Sequence, residues 1–255
     1  MIRTERLTKL YDRKPAVLDL DLSIQPGEVF GFLGPNGAGK STTVNILAGL
    51  IPAYSGRAIV AGYDVADHPL EVKRRLGFVP ETPRLYDSLT ADGFLDVMGA
   101  LYHLDPGTSK ARRNDLIELF GLGDVRNQRL REFSKGMRQK VVIASALIHR
   151  PEVLILDEPF DGLDANTALV MKGLLREMAA QGKTILFSSH VLEVVERICT
   201  RICIIDGGRK VAEGSAEQIR MNFRAATLDE AFSRLTGGRE ASQVTADILA
   251  ALARS

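Results

Sequence analysis

The chain has few cysteines, no tryptophan and no long apolar run. Its two cysteines, Cys199 and Cys203, lie four residues apart beside apolar neighbours. This spacing fits neither a disulfide framework nor a C-x-x-C metal pair, so we expect two reduced thiols in the core. The longest apolar stretches, such as Val153–Leu156 and Val141–Leu147, are much shorter than the roughly 20 residues of a membrane-spanning helix.

An excess of charge of one sign is also missing. The 33 lysines and arginines are balanced by 32 aspartates and glutamates, which gives a formal net charge of +1. The chain therefore has no broad positive electrostatic field that would favour binding to nucleic acid or to an acidic lipid surface. The opening residues, Met1–Asp12, carry scattered charges and lack the apolar segment of a secretory signal. These features predict a cytoplasmic protein without a nucleic-acid partner.

Short β-like runs alternate with longer helical patterns, and this alternation predicts an α/β sheet with helices on its faces. With 255 residues and 45% hydrophobic content, the chain can form a substantial core. The predicted strands are Ala16–Ile24, Val29–Leu33, Ala58–Val60, Val153–Asp157, Thr184–Ser188 and Ile202–Ile205. Glycine and proline lie near many of the predicted element boundaries.

Two parts of the chain depart from this alternation. From about residue 90 to 150 the β-branched runs disappear and apolar residues recur at helical spacing, which indicates an inserted helical subdomain. From about Glu213 the pattern is helical again and stops at Gly237-Gly238. The apolar face of this tail consists of Leu228, Ala231, Phe232 and Leu235. We predict a main domain over residues 1–215 and a helical tail over 216–255 that caps the core.

One segment has the pattern of a phosphate-binding loop. Residues 34–41 read G-P-N-G-A-G-K-S between the predicted strand Val29–Leu33 and a helical segment, Thr42–Leu50. The glycines let successive backbone N–H groups point inward, and the positive end of the following helix favours an anion. Lys40 can reach the β- and γ-phosphates of a nucleotide, and Ser41 can offer its hydroxyl to Mg²⁺.

A second motif supplies carboxylates. Asp157 and Glu158 follow four apolar residues of a predicted buried strand. In an open parallel sheet, ligands bind beyond the carboxyl ends of the strands, where the phosphate loop also lies. Asp157 can then hold Mg²⁺ through water, and Glu158 can orient or deprotonate a water that attacks the γ-phosphate.

Kinases, GTPases and transport ATPases share these two motifs, so other residues must distinguish them. The segment Phe133–Gln139 opens a long helix that runs to about His149, and a serine with glycine at a helix N-terminus forms a second anion site. Residues Asp161–Asp164 follow the two acids, and His190 lies at the end of the strand that starts at Thr184.

In this order the motifs resemble those of the ABC ATPase family. The aromatic near the N-terminus is Tyr11, and Walker A consists of Gly34, Pro35, Asn36, Gly37, Ala38, Gly39, Lys40 and Ser41, with Thr42 beside it. The Q-loop position is Glu81, and the signature is Ser134–Gln139. Walker B is Leu156-Asp157-Glu158, the D-loop contains Asp164, and the switch histidine is His190. The resemblance covers roughly residues 1–215. It implies a P-loop NTPase core of the ABC type with an antiparallel β edge and an inserted helical subdomain.

The resemblance also implies a mechanism. The family uses ATP and Mg²⁺, with Tyr11 stacked on adenine and the metal near Ser41, Glu81 and Asp157. Two such domains form a homodimer or heterodimer that sandwiches two ATP molecules head to tail. By this resemblance Ser134, Gly136 and Met137 would contact the γ-phosphate bound to the partner chain, and His190 would help to hold the transition state. Dimer closure would drive a separate integral-membrane permease, with the ATPase on the inner face of the cell membrane.

Several positions depart from the common family pattern. Glu81 stands where glutamine is usual, and the extra charge is expected to alter nucleotide affinity while leaving a metal ligand. In the signature, Lys135 replaces a glycine and Met137 replaces a glutamine. Lys135 either pairs with phosphate or faces solvent. Asp161 stands where a small serine is common, and its sequence context suggests no role.

The signature and the tail resemble those of bacterial exporters with separate ATPase and permease chains. In the family, the Q-loop region, here about Phe78–Leu89, contacts a coupling helix of the permease. The apolar residues Leu85, Tyr86 and Leu89 either make that contact or pack beneath the helical subdomain. The rival interpretation is an ABC protein that acts on ribosomes or DNA. The chain contains no internal repeat and no sustained heptads, which counts against that rival, and Glu158 counts against a regulator without ATP turnover.

Overall fold

Two β-sheets organise the chain, and the computed structural model describes residues 1–237 and Leu252. The strands are β1 Ile2–Tyr11, β2 Lys14–Ile24, β3 Val29–Leu33, β4 Ser55–Val60, β5 Tyr63–Asp64, β6 Leu76–Val79, β7 Val153–Asp157, β8 Thr184–Ser188, β9 Arg201–Asp206 and β10 Arg209–Gly214. The helices are α1 Lys40–Leu47, α2 Pro69–Arg75, α3 Ala91–Leu101, α4 Pro106–Leu119, α5 Lys135–Leu147, α6 Ala165–Ala180, α7 Leu192–Ile198, α8 Ala216–Asn222 and α9 Leu228–Leu235. The predicted α/β class is confirmed.

The larger sheet has six strands in the order β10-β9-β3-β8-β7-β6. All of its neighbouring pairs are parallel except the antiparallel hairpin of β9 and β10. Every residue of β3, β7 and β8 is buried, as expected for central parallel strands that are covered on both faces. Because these strands are parallel, their carboxyl ends meet at one edge, and the loops that follow them lie side by side.

The smaller sheet has four strands in the order β2-β1-β4-β5, and its pairs are antiparallel. This is the antiparallel edge that the family resemblance implies. Sequence analysis did not predict β1, because the register between β1 and β2 shifts after Thr4, where Arg6 has a positive φ of 45°. Such a bulge moves later side chains to the other face and breaks the alternation that identifies a strand.

Three further strands escaped prediction for different reasons, and one of them, β5, has only two residues. β6 has only four residues and includes Gly77, where an added Cβ would lie 2.4 Å from the carbonyl oxygen of Ala146 on α5. The glycine therefore allows α5 to approach the sheet, although glycine weakens the sequence signal of a strand. β10 is an edge strand with three exposed residues at its start, so it lacks a continuous apolar face.

Residues 90–150 contain the helices α3, α4 and α5 together with two short 3₁₀ turns at Gly123–Val125 and Leu130–Glu132. Each of the three helices begins with a side-chain cap, from Thr90, Asp105 and Ser134 respectively. The helical pattern predicted for this range is thus present. α5 packs against β6, which anchors the helical segment to the larger sheet.

The tail contains α8 and α9. Leu228 and Ala231 of α9 are buried, and Phe232 and Leu235 pack against the same core, so the predicted apolar face is correct. Gly238, the second glycine of the predicted stop, lies outside the described residues, and the domain boundary at residue 215 stays a prediction. In the part of the chain that the structure describes, no helix is both long and apolar enough to cross a membrane.

Candidate functional site

The phosphate loop lies at the carboxyl end of β3 and leads directly into α1. Only glycine fits at two of its positions. A Cβ on Gly39, whose φ is 105°, would lie 2.2 Å from the carbonyl oxygen of Ala16, and one on Gly34 would lie 2.4 Å from that of Ile205. The loop backbone is therefore held close to the neighbouring strands, as a phosphate cradle requires.

Lys40 begins α1 and turns its side chain back over the loop. Its ammonium donates to the carbonyl oxygens of Gly34 at 2.6 Å and Pro35 at 3.2 Å. Burial lowers the pKa of Lys40 below its ordinary value, although the negative charges of Glu158, Asp157 and Glu81 oppose this shift. Those opposing charges indicate that the acids of the site lie near the lysine.

Asp157 ends β7 and is almost completely buried. One of its carboxylate oxygens accepts a hydrogen bond from the hydroxyl of Ser188, which ends the adjacent strand β8. The backbone N–H of Glu158 in turn donates to the Ser188 hydroxyl oxygen at 3.3 Å. Ser188 therefore fixes the position of both acids. The sequence does not predict this role, because a serine at the end of an apolar strand has no distinctive signal.

Glu158 has a positive φ of 50°, which is uncommon for a residue with a side chain and marks a constrained position. Its Oε2 accepts from Nδ1 of His190 at 2.9 Å and from the backbone N–H of His190 at 3.3 Å. A carboxylate oxygen accepts from an imidazole N–H, so this contact fits the tautomer with the proton on Nδ1, which leaves Nε2 for another partner. The glutamate side chain is mostly buried, whereas that of His190 is 71% exposed.

Lys40, Asp157 and Glu158 line one open cleft of about 350 Å³, whereas Ser188 and His190 are not part of its lining. Its lining consists of Ala16, Asn36, Gly37, Gly39, Lys40, Ser41, Thr42, Glu81, Asp157 and Glu158. The phosphate loop, both Walker B acids and the Q-loop position thus meet in one place. Ala16, from β2, is a member that sequence analysis missed. The ring of Tyr11 is not part of this lining. It is about half exposed, and the ammonium of Lys9 lies over it, 4.8 Å from the ring centroid.

The oxygen ligands in the cleft fit a magnesium ion. Ser41 contributes a hydroxyl, and Glu81 and Asp157 contribute carboxylates. Mg²⁺ prefers hard oxygen ligands and is usually bound through one or two carboxylates together with substrate phosphates. The three side chains are therefore a chemically suitable set.

The signature segment lies apart from this cleft and packs against the loop that follows Glu158. Ser134 caps α5 and accepts from the backbone N–H of Met137 at 3.3 Å. A Cβ on Gly136 would lie 2.4 Å from the carbonyl oxygen of Gly162. One turn further along, the buried side chain of Gln139 donates to the carbonyl oxygen of Pro159 at 3.2 Å. The start of α5 and this loop are therefore closely packed.

Two ion pairs reinforce the same contact. The ammonium of Lys135 lies 2.6 Å from Oδ2 of Asp161, and that of Lys140 lies 3.2 Å from Oδ2 of Asp164. Hydrogen bonds from Thr167, together with Lys140, hold the pKa of Asp164 well below its usual range. The Lys135 side chain is exposed and pairs with Asp161, for which the sequence suggested no role. Its pairing with phosphate stays a prediction.

The segment around Glu81 divides between the two predicted alternatives. Leu85 and Leu89 are partly buried and pack against the core, whereas the side chain of Tyr86 is 69% exposed. Packing beneath the helical segment therefore accounts for the two leucines. Tyr86 remains available for contact with another molecule.

Comparison with known proteins gives the decisive observation. The family model for the ABC transporter matches residues 17–161. The chain is 42% identical to the ABC transporter ATP-binding protein NatA of Bacillus subtilis (strain 168), over 92% of this chain and 98% of that protein. The chain belongs to the ABC transporter family. Within this family it is similar to the ATP-binding proteins, so the predicted ABC ATPase is confirmed and an ABC protein of ribosomes or DNA is not favoured.

Other ABC transporter proteins extend the comparison. The daunorubicin/doxorubicin resistance ATP-binding protein DrrA of Streptomyces peucetius is 37% identical over 89% of this chain and 69% of its own length. A solved structure described as the ATP binding subunit of an ABC transporter has a TM-score of 0.87 and 34% identity, over 92% of this chain and 99% of that one. A dimeric structure of MJ0796, a bacterial ABC transporter cassette, has a TM-score of 0.78 and 26% identity, over 84% of this chain and 98% of that one. These neighbours confirm the ABC fold of the chain.

Proposed function

We propose that this ABC transporter subunit hydrolyses ATP in a head-to-tail dimer and thereby drives a separate membrane permease. The observation that carries the proposal is the single cleft that joins the phosphate loop to Asp157 and Glu158. A binding cradle and a candidate base in one cleft are the two requirements for phosphoryl transfer to water.

The phosphate loop binds the nucleotide. Its backbone N–H groups and the N-terminus of α1 face the phosphates, and Lys40 exchanges its bonds with Gly34 and Pro35 for bonds to phosphate oxygens. Thr42 supports this cradle, and Tyr11 stacks on the adenine. Mg²⁺, when bound near Ser41, Glu81 and Asp157, neutralises phosphate charge.

Glu158 and His190 carry the hydrolysis step. A carboxylate oxygen of Glu158 accepts a proton from a water molecule while the oxygen of that water bonds to the γ-phosphorus, and the bond from this phosphorus to the bridging oxygen of the leaving ADP breaks. Nδ1–H of His190 donates to the carboxylate of Glu158 and holds that side chain in its orientation. Nε2 of His190 is then free to face the γ-phosphate.

A second copy completes each site. The residues that line the cleft include none from the signature, so Ser134, Gly136 and Met137 act on a nucleotide held by another chain. Asp164, which ends the loop after Glu158 and caps α6, joins the contact. The dimeric form of the MJ0796 cassette supports this arrangement. The partner is a second copy or a related ATPase chain.

The transport role follows from the relatives. DrrA is named for resistance to daunorubicin and doxorubicin, and another relative, 36% identical, is a Nod factor export ATP-binding protein of Cupriavidus metallidurans. These names favour export. The subunit then lies on the cytoplasmic face of the membrane, where the exposed side chain of Tyr86 contributes to the contact with the permease.

Affinity purification from solubilised native membranes tests this role. The tagged protein should recover a membrane protein with several spans, and Tyr86→Ala should reduce that recovery without altering ATP turnover. Met221→Ala is a matched control, because Met221 is 71% exposed on α8. Recovery of ribosomal proteins or nucleic acid instead of a membrane protein would contradict the transport role.

A further inference from the structure

Lys135 and Asp161 are the two positions at which the signature and the D-loop carry a charge that the common family pattern lacks, and they bind each other. The Nζ–Oδ2 distance is 2.6 Å, and the two side chains are 64% and 49% exposed. The stem of Lys135 crosses Gly162, since a Cβ on that glycine would lie 3.2 Å from Cγ of the lysine. The pair thus spans the contact between α5 and the loop after Glu158.

The position of this pair allows Lys135 to exchange Asp161 for another anion. Lys135 is the first residue of α5, and a cation at the positive end of a helix is disfavoured unless an anion lies beside it. Asp161 supplies that anion, and the Lys135 hydrogen bond is the main reason that the pKa of Asp161 lies below its usual value. An exposed ion pair is weak, however, so a more highly charged anion can compete for the lysine.

Such an anion arrives when the dimer closes. Lys135 lies between Ser134 and Gly136, two of the residues proposed to contact the γ-phosphate that the partner chain binds. Closure also excludes water from this surface and strengthens the attraction between the ammonium and a phosphate. The lysine side chain is long and flexible, whereas the carboxylate of Asp161 is fixed to a short stem.

We propose that Lys135 is a specificity-determining residue of the composite site. In the closed dimer its ammonium leaves Asp161 and binds the γ-phosphate of the ATP held by the partner chain. Asp161 competes for the lysine and so sets how much ATP is needed for closure. ADP lacks this phosphate and leaves the ion pair intact. The inference rests on the proposed head-to-tail dimer.

The test compares Lys135→Met, Asp161→Asn and the double variant in a Glu158→Gln background, where ATP is bound and not hydrolysed. The measured quantity is the ATP concentration that gives half-maximal dimer by light scattering. We expect Lys135→Met to raise this concentration about fivefold and Asp161→Asn, which frees the lysine, to lower it by a similar factor. The double variant should behave like Lys135→Met, because Asp161 acts only through the lysine.

Controls separate this exchange from a structural role. All variants should bind ADP as the parent does, and Arg197→Met, which removes the exposed pair with Glu193 on α7, should leave the half-maximal concentration unchanged. If Lys135→Met and Asp161→Asn both raise the concentration, the pair is only structural and the proposal is wrong. An unchanged value for Lys135→Met in a parent that dimerises overturns this proposal alone. A parent that stays monomeric at saturating ATP contradicts the sandwich dimer and this proposal with it.

Discussion

Gly136 of the signature lies so close to Gly162 of the D-loop that a Cβ on Gly136 would stand 2.4 Å from the carbonyl oxygen of Gly162. No side chain separates the two backbones, and Gly162 itself has a positive φ of 76°. Two motifs that are distant in the chain are therefore in direct contact. A displacement of the loop after Glu158 at Gly162 would therefore displace the first turn of α5, and the reverse also holds.

Gly136→Ala should separate these two segments. We expect it to reduce the free energy of unfolding by about 1–3 kcal/mol, because the contact is with a backbone carbonyl that cannot yield, and to weaken ATP-dependent dimerisation. Thermal denaturation and light scattering measure the two effects. Gly173→Ala on α6, where nothing lies within 4 Å of the added Cβ, should instead stabilise the protein by about 0.5–1 kcal/mol. Equal destabilisation by both variants would refute the close contact.

Lys40→Ala should weaken nucleotide binding itself. The lysine is the cation nearest the loop carbonyls, and charged hydrogen bonds to phosphate are worth about 1.5–3 kcal/mol, so we expect affinity for ATP to fall about 10-fold to 100-fold. Titration with a fluorescent ATP analogue measures this change. Lys110→Ala, an exposed position on α4, should bind like the parent. Unchanged affinity in Lys40→Ala would show that the loop backbone suffices.

Ser188→Ala should disturb both acids of the site. The substitution removes the donor to Asp157, so a buried carboxylate loses its partner at a cost of about 1–3 kcal/mol. It also removes one of two acceptors for the N–H of Glu158, which keeps its bond to the carbonyl oxygen of residue 188. We expect lower stability and at least a tenfold lower rate of ATP hydrolysis. The comparison is Ser145→Ala, a buried serine that donates to the carbonyl oxygen of Val142 in its own helix. That variant should keep its ATPase rate, and a normal rate in Ser188→Ala would contradict the positioning role.

His149 should make stability depend on pH below neutrality. Its ring stacks on Tyr102 with centroids 3.6 Å apart, and Nε2 lies 3.1 Å from the carbonyl oxygen of Leu76. Burial is the main cause that lowers the pKa of His149 to about 4, and Arg112 adds to this effect. In the unfolded chain the imidazole takes up its proton near the ordinary pKa of 6.5.

Between pH 6.5 and pH 4, His149 is therefore protonated in the unfolded state and largely neutral in the folded state. The free energy of unfolding should decrease over this window by about 2 kcal/mol for this one side chain, after allowance for its partial exposure to water. His149→Phe keeps the stacking on Tyr102 and removes the titration. Urea denaturation at several pH values should give a shallower dependence for this variant. Parallel curves for the parent and the variant would show that His149 does not contribute.

The sequence predicts the central strands because they are short, apolar and β-branched. β3, β7 and β8 have the predicted bounds, since strands buried on both faces carry a continuous apolar signal. β1 and β10 were missed because a bulge and an exposed edge interrupt that signal. The same distinction applies to the site. Motif residues such as Lys40 and Glu158 are identified by local spacing.

Residues that act across the fold have no local signal. Ser188 reaches Asp157 because β7 and β8 are neighbours, and Lys135 reaches Asp161 because α5 lies on the loop after β7. Both relationships join residues more than 25 positions apart in the chain. Without the tertiary structure, Asp161 had no role and Lys135 had two open alternatives. The structure adds a third relationship, the ion pair of these two residues, which spacing in sequence does not encode.

The most direct test of the central claim uses Glu158→Gln. The amide cannot accept a proton from water, yet it has nearly the shape of the carboxylate and still leaves Lys40 and the phosphate loop intact. The matched control is Glu152→Gln, at a side chain that is 60% exposed before β7. It should hydrolyse ATP at the parental rate. The measurement is the molar mass of Glu158→Gln in solution with saturating ATP and Mg²⁺, alongside its rate of phosphate release. The proposed mechanism predicts a stable dimer and no turnover. A monomer at saturating ATP, or turnover at the parental rate, would contradict it.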